Sequence, residues 1–571
     1  MELFLIDGIG PFFGDYKKRR INWSKIPFEH LELDDPEKRA KRFIRIREDM
    51  QTFTHCAAAM GFNAITLDDV AHLADHPDYE PAIRARIQAY RSESIALFKI
   101  IQASGLKIYI TMDILSMSAA IREQVGGHLD RAITFAQELL THLFADFPQI
   151  AGIIMRIGES DGQDVKGPLR SELLLRTPHD TNRFIKALLP TFEDEERTLI
   201  FRTWTVGAYS IGDLMWHRDT FTRTLKGIDS ANFIVSMKFG ESDFFRHLPL
   251  NSNFFRTTHR KIIELQTRHE YEGAGEYPSY IGQDYSQYAA QLKQAPNMAG
   301  IIIWCQTGGW HPFRRRTLID DNAVWAGINT HVALGIFKDG LSPDAALMQW
   351  TGRERFPEIN ELLQLSEEVI KKLLYEPQFA QQKLFFRRVR IPPLLAVFWN
   401  TLFINHAARR VLQHYVKDPQ QSIDQATVAM QKLTRMQQLA EQSGLPADDI
   451  EFMHDTLNLV RLARRYFLLP KDDEFESELR TTRAAYKKKY PKSLRPRYRI
   501  KLDLGTSEFS PRTLSLGLKI FLRQQRGYRL VDRLILLRLL AIGYWLVRRA
   551  APKMIPKFAR KSAMGVDAVF R

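Results

Sequence analysis

Charged and aromatic side chains follow a series of short apolar runs in the first 310 residues of the sequence. In the stretch SMKFGESDFFRHLP (236–249), for example, Lys238 ends such a run and Asp243 follows shortly afterwards. The corresponding residues after the other runs are Asp68 and Asp69; Asp113; Arg156, Glu159 and Asp161; Arg202 and Trp204; His269 and Glu270; and Trp304 and Gln306. Their recurrence at the same place in successive runs predicts that they meet at one site.

This set of side chains suits the hydrolysis of glycosidic bonds. One carboxylic acid can protonate the leaving oxygen, while a second carboxylate activates water or attacks the anomeric carbon. Trp204 and Trp304 offer faces on which a sugar ring can stack, and Trp310 and Tyr271 are further candidates. For any one of these rings, packing inside the fold is the commoner use. The sequence therefore predicts carboxylate chemistry on a saccharide.

Three cations, Arg156, Arg202 and Lys238, belong to the same set, and they allow two interpretations. In the first, a cationic pocket selects a substrate that carries a carboxylate or a phosphate. In the second, the cations only neutralise the acids of the site itself. The composition of the set is equally compatible with both.

The apolar runs also predict the architecture that positions these side chains. Continuous apolar runs are typical of strands buried on both faces, and helical patterns such as 79–103 and 129–145 alternate with them. Eight strands alternating with helices over about 300 residues predict an α/β fold, a (β/α)8 TIM barrel, with an open α/β sheet as the alternative. The predicted strands are 3–7, 64–69, 107–113, 152–160, 199–204, 233–238, 262–266 and 300–306. In such a barrel the site forms at the carboxyl ends of the strands.

Four motifs between residues 40 and 350 resemble those of the α-glucuronidases of glycoside hydrolase family 67. KFGESDF (238–244) is similar to the family's Lys-Asn-Gly-Pro-Ile-Asp-Phe, and ELQTRHEY (264–271) is similar to its Glu-Leu-Gln-Ile-Thr-Gln-Glu-Tyr. RTWTVG (202–207) resembles Arg-Ala-Phe-Val-Tyr-Gly, and LGIFKDGLSPDAALMQW (334–350) resembles the helix after the family's eighth strand. The four motifs also occur in the family's order.

The resemblance implies a role for each matching residue. Asp243 and Glu270 match the pair that holds and deprotonates the attacking water in an inverting reaction. Arg202 and Lys238 match cations that bind the carboxylate of the sugar, and Arg156 lies near a third such cation. The implied substrate is a saccharide with an acidic, glucuronide-like sugar, and no cofactor is implied.

The sequence departs from the family at the general acid. The family has Asp-Ser-Glu-Gly-Gln where this chain has ESDGQ (159–163), so that the two acids are exchanged. Counting from the start of the strand favours Glu159, whereas the Gly-Gln pair favours Asp161. The Asp side chain would withdraw the proton by about 1.5 Å, more than a catalytic hydrogen bond tolerates. Both residues are kept as catalytic candidates. The resemblance does not include the family's N-terminal β-domain, because the first predicted strand begins at Leu3.

The length of 571 residues predicts two or three domains, and a composition that is 45% hydrophobic and 11% aromatic is that of a globular protein. Two cysteines cannot form a disulfide framework, and no His or Cys cluster has metal-ligand spacing. The N-terminal MELFLIDGIG lacks the features of a signal peptide. We therefore expect a cytoplasmic protein without a metal. Its expected parts are a catalytic barrel at 1–345, a helical domain at 346–472 and a basic tail at 473–571. The resemblance to family 67 implies that the helical domain can support a homodimer.

The positive charge of the chain is concentrated near its end. Residues 480–571 contain 24 Lys and Arg but four Asp and Glu, whereas the first 479 residues carry a net charge of −5. The stretch 530–553 predicts an amphipathic helix, whose longest uncharged run of nine residues is too short to span a bilayer. Such a helix can lie on the anionic inner face of a membrane, or it can dock on the barrel with Leu534, Leu537 and Trp545 buried. Nucleic acid is not expected as a partner, because no recognition motif accompanies the charge.

Two classes of function remain open. The first is an inverting glycoside hydrolase of bacterial kind that acts on a uronic-acid-containing saccharide. The second is an inactive barrel that binds a glycan or a partner protein and is recruited to membrane-associated polysaccharide or glycolipid metabolism. The exchanged acids of ESDGQ favour the second, and the complete set of Asp243, Glu270, Lys238 and Arg202 favours the first.

Overall fold

Eight parallel strands close into a barrel in which each strand pairs with the next along the chain and the eighth pairs with the first. The computed structural model describes residues 1–14, 26, 28–29, 31, 33–157, 167–171, 173–205, 207, 209–308, 315–398, 400–504, 518, 522–524 and 535–550. The barrel strands are β1 (Leu3–Asp7), β2 (Ala64–Leu67), β3 (Lys107–Asp113), β4 (Ile150–Arg156), β5 (Thr198–Arg202), β6 (Phe233–Lys238), β7 (Lys261–Gln266) and β8 (Met298–Trp304). The closed barrel confirms the predicted fold class and excludes the open sheet.

The apolar runs become strands because both faces of each strand are covered, by the barrel interior and by helices. Every residue of β6 and β7 is buried. The predicted bounds of β1, β3 and β6 are confirmed, and those of the other strands differ by one to four residues. β2 ends at Leu67, because the side chain of Asp69 accepts a hydrogen bond from the backbone N–H of Ala71 and begins a short helix there.

Two glycines allow neighbouring strands of the barrel to approach closely. Gly300 of β8 pairs with Leu3 of β1, and a Cβ atom at position 300 would lie 1.8 Å from the carbonyl oxygen of Leu3. A Cβ atom at Gly152 of β4 would lie 2.3 Å from the carbonyl oxygen of Thr198. Any larger residue at either position would therefore push two barrel strands apart.

Helices cover the outside of the barrel. The predicted helices 79–103 and 129–145 are confirmed as Pro81–Ala103 and Leu129–Asp146. The other α-helices up to the end of the barrel are Pro36–Met60, Val70–Leu73, Ala119–Val125, Pro178–Asp194, Arg218–Leu225, Asn253–Arg256, Gly282–Leu292 and Val324–Asp339. A 3-10 helix, Gly10–Phe13, follows β1, and Ser116–Met117 pairs with Arg170–Ser171 as a short antiparallel ladder.

The region after the barrel is mostly helical, as predicted. Its α-helices are Pro343–Val369, Pro377–Ala380, His406–Tyr415, Pro419–Ser443, Ala447–Leu468 and Asp473–Lys489, and Ile370–Leu374 is a π-helical turn. The short strands are Phe385–Phe386, Val389–Arg390, Val397–Phe398, Thr401–Asn405 and Arg499–Asp503. The last two pair in parallel, so the chain up to Asp503 takes part in this region. The domain boundaries at 345 and 472 stay predictions.

The basic tail contains a further helix, Ile535–Ala550, among its described residues. Within the described parts of the chain, we find no helix that combines the length and the apolar character needed to cross a membrane.

Candidate active site at the carboxyl ends of the strands

Five of the predicted site residues lie at the carboxyl end of the barrel. Arg156, Arg202 and Lys238 are the last residues of β4, β5 and β6. Asp243 and Glu270 lie in the segments that follow β6 and β7. All five residues are buried, with between 2% and 6% of their surface exposed. The structure therefore places these residues at the same end of the barrel, as the sequence predicted.

Both candidates for the general acid, Glu159 and Asp161, lie outside the described residues, as does Trp310. The assignment of the proton donor thus stays a prediction. In the described part of the chain, no group of three or more His, Cys, Asp or Glu side chains is arranged to hold a metal ion.

Asp243 is bound by three donors. Nζ of Lys238 lies 2.5 Å from Oδ1 of Asp243, and the backbone N–H of Phe244 donates to the same oxygen at 2.9 Å. The hydroxyl of Tyr271 donates to Oδ2 at 2.8 Å. Because Tyr271 directly follows Glu270, this last bond connects the segments that carry the two predicted catalytic carboxylates.

The ammonium group of Lys238 is also surrounded by aromatic rings. It lies 4.6 Å from the ring centroid of Trp204 and 4.4 Å from that of Phe244. Both contacts have cation–π geometry, which stabilises a charge that has lost its water. Trp204, which the sequence predicted to bind substrate, therefore packs against Lys238 in this structure.

The position of Glu270 is set by the end of β7. Its backbone N–H donates to Oε1 of Gln266 at 3.0 Å, and Nε2 of Gln266 donates to Oε1 of Glu270 at 3.1 Å. The preceding residue, His269, has φ of +52°, which is uncommon for a side chain other than glycine. A turn at His269, one backbone hydrogen bond and one side-chain hydrogen bond to Gln266 thus fix Glu270 relative to the strand.

Glu264 is a buried acid of β7 that connects four strands. Its carboxylate accepts hydrogen bonds from Arg202 of β5 at 2.7–3.1 Å, from Ser236 of β6 at 2.8 Å and from Trp304 of β8 at 3.0 Å. Burial alone would raise the pKa of Glu264, but the charge and hydrogen bonds of Arg202, together with the charge of Lys238 and the hydrogen bond from Ser236, lower the pKa below its usual value. Glu264 was not predicted to have a role, although an acid inside an apolar strand is a signal that the sequence contains.

Arg156 connects the strands on the other side of the barrel. Its Nε lies 2.8 Å from Oδ1 of Asp113 in β3, and its Nη2 lies 3.2 Å from Oδ2 of Asp69 after β2. The hydroxyl of Thr111 donates to Asp68 at 2.6 Å in the same cluster. For Arg156 and for Arg202, the structure thus favours the interpretation in which cations neutralise the acids of the barrel.

Two further charged residues, Asp7 and Arg268, were not predicted. Asp7 ends β1, and its Oδ2 accepts hydrogen bonds from the backbone N–H groups of Gln306 at 3.1 Å and Thr307 at 2.6 Å. Burial raises the pKa of Asp7 against the opposing effect of these bonds. Burial likewise lowers the pKa of Arg268 to about 10, although the negative charges around it, among them Glu270, oppose the shift. The signal for Asp7 was present in the acid that ends LFLID.

The segment that carries Glu270 and Tyr271 is supported by the C-terminal region. The hydroxyl of Tyr498 donates to the carbonyl oxygen of Tyr271 at 2.7 Å and accepts from the backbone N–H of Gly273 at 3.1 Å. Tyr498 lies in the stretch KKKYPKSLRPRYRIK (487–501) of the predicted basic tail. Through Tyr498, this stretch therefore supports the segment of the site that carries Glu270 and Tyr271.

A buried ion pair supports the same segment from another side. Nε of Arg246 lies 3.0 and 2.9 Å from the two carboxylate oxygens of Glu272. The Glu272 carboxylate also accepts hydrogen bonds from Ser279 and, at 2.8 Å, from the hydroxyl of Tyr375. Because Tyr375 directly follows the π-helical turn Ile370–Leu374, the site is connected to the helical region.

Similarity to known proteins is confined to the fold. No protein-family model matches the chain, and no curated protein sequence is significantly similar to it. A solved GH138 enzyme that targets pectin rhamnogalacturonan II is similar over 86% of this chain and 62% of its own, with a TM-score of 0.51 and 11% identity. The chain thus spans less than two thirds of that enzyme. A mutant O-GlcNAc hydrolase from Thermobaculum terrenum, with 9% identity over 78% of this chain and 86% of its own, has a TM-score of 0.38 and is too distant to inform the site.

The buried side chain of His269 makes the free energy of unfolding sensitive to pH. Burial lowers the pKa of His269 to about 4, and its Nε2 has no hydrogen-bond partner among the described residues. Below about pH 6.5 the unfolded chain binds a proton here that the folded chain does not bind until about pH 4. This difference in proton binding therefore does not lower the free energy of unfolding above about pH 6.5, and it lowers that free energy progressively as the pH falls from about 6.5 to about 4.

We predict that His269→Asn, which tolerates the left-handed backbone, removes this part of the pH dependence. Between pH 7 and about pH 4.5 the variant should lose about 2–3 kcal/mol less unfolding free energy than the wild type. Urea unfolding at both pH values measures the difference, and His55→Asn, at an exposed histidine, is the control. The same loss in His269→Asn and in the wild type would contradict the prediction.

Proposed function

We propose that the barrel is a glycoside hydrolase in which Asp243 and Glu270 act on one water molecule. The observation that carries the proposal is the hydrogen bond from the hydroxyl of Tyr271, the neighbour of Glu270, to Asp243. The two carboxylates follow neighbouring strands at the carboxyl end of the barrel, where the active sites of barrel enzymes form. Two carboxylates in this position can orient a water and accept its proton.

The proposed reaction inverts the anomeric centre. Asp243 and Glu270 hold the water, and one of them accepts its proton as the water oxygen bonds to the anomeric carbon. The bond from that carbon to the leaving oxygen breaks, and Glu159 or Asp161 donates the proton that the leaving oxygen takes up. Lys238 compensates the charge of Asp243 before the proton arrives. The resemblance of KFGESDF and ELQTRHEY to family 67 supports these roles.

We further propose that the sugar of the substrate carries a carboxylate that Lys238 binds. An ammonium group has three donors, and Asp243 uses one of them in the structure. Arg156 and Arg202 are less suitable, because their guanidinium groups bind acids of the barrel. The structural neighbour that targets pectin rhamnogalacturonan II suggests pectic oligosaccharides as a first group to test.

A saccharide-binding barrel without catalysis is the second candidate. The observation that favours it is that both carboxylate oxygens of Asp243 accept hydrogen bonds from protein donors. If both oxygens of the carboxylate keep these hydrogen bonds after the saccharide binds, the carboxylate cannot act as a base towards water. Hydrolysis and binding measured on the same saccharides distinguish the two candidates.

Replacing each carboxylate by its amide tests the catalytic pair. We expect Asp243→Asn and Glu270→Gln each to lower kcat by about 10²–10⁴-fold, since an amide cannot accept a proton from water. The substrates are uronic-acid-containing oligosaccharides, including fragments of rhamnogalacturonan II. NMR follows both the rate of hydrolysis and the anomer that is released first, which should be inverted.

Asp229→Asn is the matched control, because Asp229 is exposed and lies before β6. Its turnover should equal that of the wild type, and circular dichroism should show the same fold in all variants. Near-normal turnover in both amide variants, or a retained anomer, would overturn the assignment. Binding of the saccharides without any hydrolysis by the wild type would support the second candidate.

Lys238→Met tests the acidic sugar. A charge-assisted hydrogen bond contributes about 1.5–3 kcal/mol, so kcat/KM should fall about 10- to 100-fold more for a uronate than for the corresponding neutral sugar. The neutral sugar reports the damage that arises from the lost contact with Asp243. Arg202→Met is the control, because Arg202 binds Glu264 and its loss should lower activity equally on both substrates. Equal losses for Lys238→Met would mean that the lysine only supports Asp243.

A further inference from the structure

Helix Ile535–Ala550 exposes a cluster of large apolar side chains. Leu539, Ile542, Trp545 and Leu546 are each between 52% and 57% exposed. Their spacing of three and four residues places them along one side of the helix. Trp545, which a helix docked on the barrel would bury, is among them, whereas Leu534 lies outside the described residues. Exposed apolar side chains that occur in such a group mark a surface that contacts another body.

The same part of the chain is strongly basic. Residues 519–561 contain twelve Lys and Arg and one acid, Asp532. Arg538, Arg548 and Arg549 belong to the helix itself, and the guanidinium of Arg549 lies 5.4 Å from the ring centroid of Trp545. Positive charge therefore adjoins the apolar cluster.

The dimensions of the helix suit an orientation along a bilayer surface. The sixteen described residues of the helix are about 24 Å long, less than the ~30 Å of a hydrocarbon core. The arginines near its C-terminal end would have to remain in the headgroup region. Tyr544 and Trp545 are of the residue types that concentrate at the boundary between headgroups and acyl chains.

We propose that helix Ile535–Ala550 binds the surface of an anionic phospholipid bilayer and lies in its plane. Leu539, Ile542 and Leu546 enter the acyl boundary, while the arginines contact lipid phosphates. A second copy of the chain fits this surface less well, because it would bring a second set of twelve cations against the first. Anionic lipids cover the apolar cluster and neutralise the cations together. This binding does not depend on the proposed hydrolase activity.

The test is sedimentation of the full chain with lipid vesicles. The vesicles are phosphatidylcholine with about 30% phosphatidylglycerol, and pure phosphatidylcholine, each in about 0.05 M and about 0.5 M sodium chloride. We expect the chain to sediment with the anionic vesicles at low salt, and at least about tenfold more weakly with the neutral vesicles or at high salt.

Paired substitutions separate the apolar and the charged contributions. Ile542→Asp with Leu546→Asp should abolish binding, whereas Val428→Asp, at an exposed apolar residue of another helix, should leave it unchanged. Arg548→Gln with Arg549→Gln should weaken binding about 30-fold, since each basic residue near the surface contributes about 1 kcal/mol. Arg223→Gln with Lys226→Gln, at exposed cations of the barrel, is the matched control.

Three outcomes would overturn the proposal: no binding of the wild type to anionic vesicles at either salt concentration, equal binding to neutral and anionic vesicles, or equal binding by the wild type and the Ile542→Asp/Leu546→Asp variant. Light scattering on the same proteins without vesicles detects a dimer, which is the competing arrangement. A dimer that Ile542→Asp/Leu546→Asp dissociates, together with the absence of vesicle binding, would assign the cluster to a second copy of the chain.

Discussion

The carboxylate of Glu264 joins four neighbouring strands of the barrel through its bonds to Arg202, Ser236 and Trp304. A buried charge that loses its partner costs several kcal/mol, so the arginine and the glutamate each require the other. Arg156 has the same relation to two acids across β2, β3 and β4. The mouth of the barrel is thus a set of compensated charges, and the side chains available for chemistry are arranged around it.

The proposed catalytic residues depend on this arrangement and on the chain beyond the barrel. Asp243 shares the end of β6 with Lys238, and Glu270 is fixed by the end of β7 through Gln266. The segment after β7 is then supported by Tyr498. A barrel without the C-terminal region would therefore lack part of the support for its own site.

The sequence predicted the barrel because strands buried on both faces leave continuous apolar runs, and the bounds of β1, β3 and β6 follow these runs closely. It also predicted that charged residues meet at one end. It could not predict which charges pair, because pairing depends on closure of the whole barrel: Glu264 meets Arg202 from 62 residues away, and Tyr498 meets Tyr271 from 227 residues away. The contact between Arg202 and Glu264, which exists only in the folded barrel, is what favours charge neutralisation over substrate binding for Arg202.

A double-mutant cycle on the free energy of unfolding tests the importance of charge compensation most directly. We predict that Arg202→Met and Glu264→Leu each cost about 3–5 kcal/mol, because each leaves one buried charge without its partner. The double variant removes both charges, so its loss should be smaller than the sum of the single losses by about 2 kcal/mol or more. Urea unfolding of the wild type and the three variants gives all four values. A loss in the double variant equal to that sum would contradict a barrel mouth that depends on the pairing of Arg202 with Glu264.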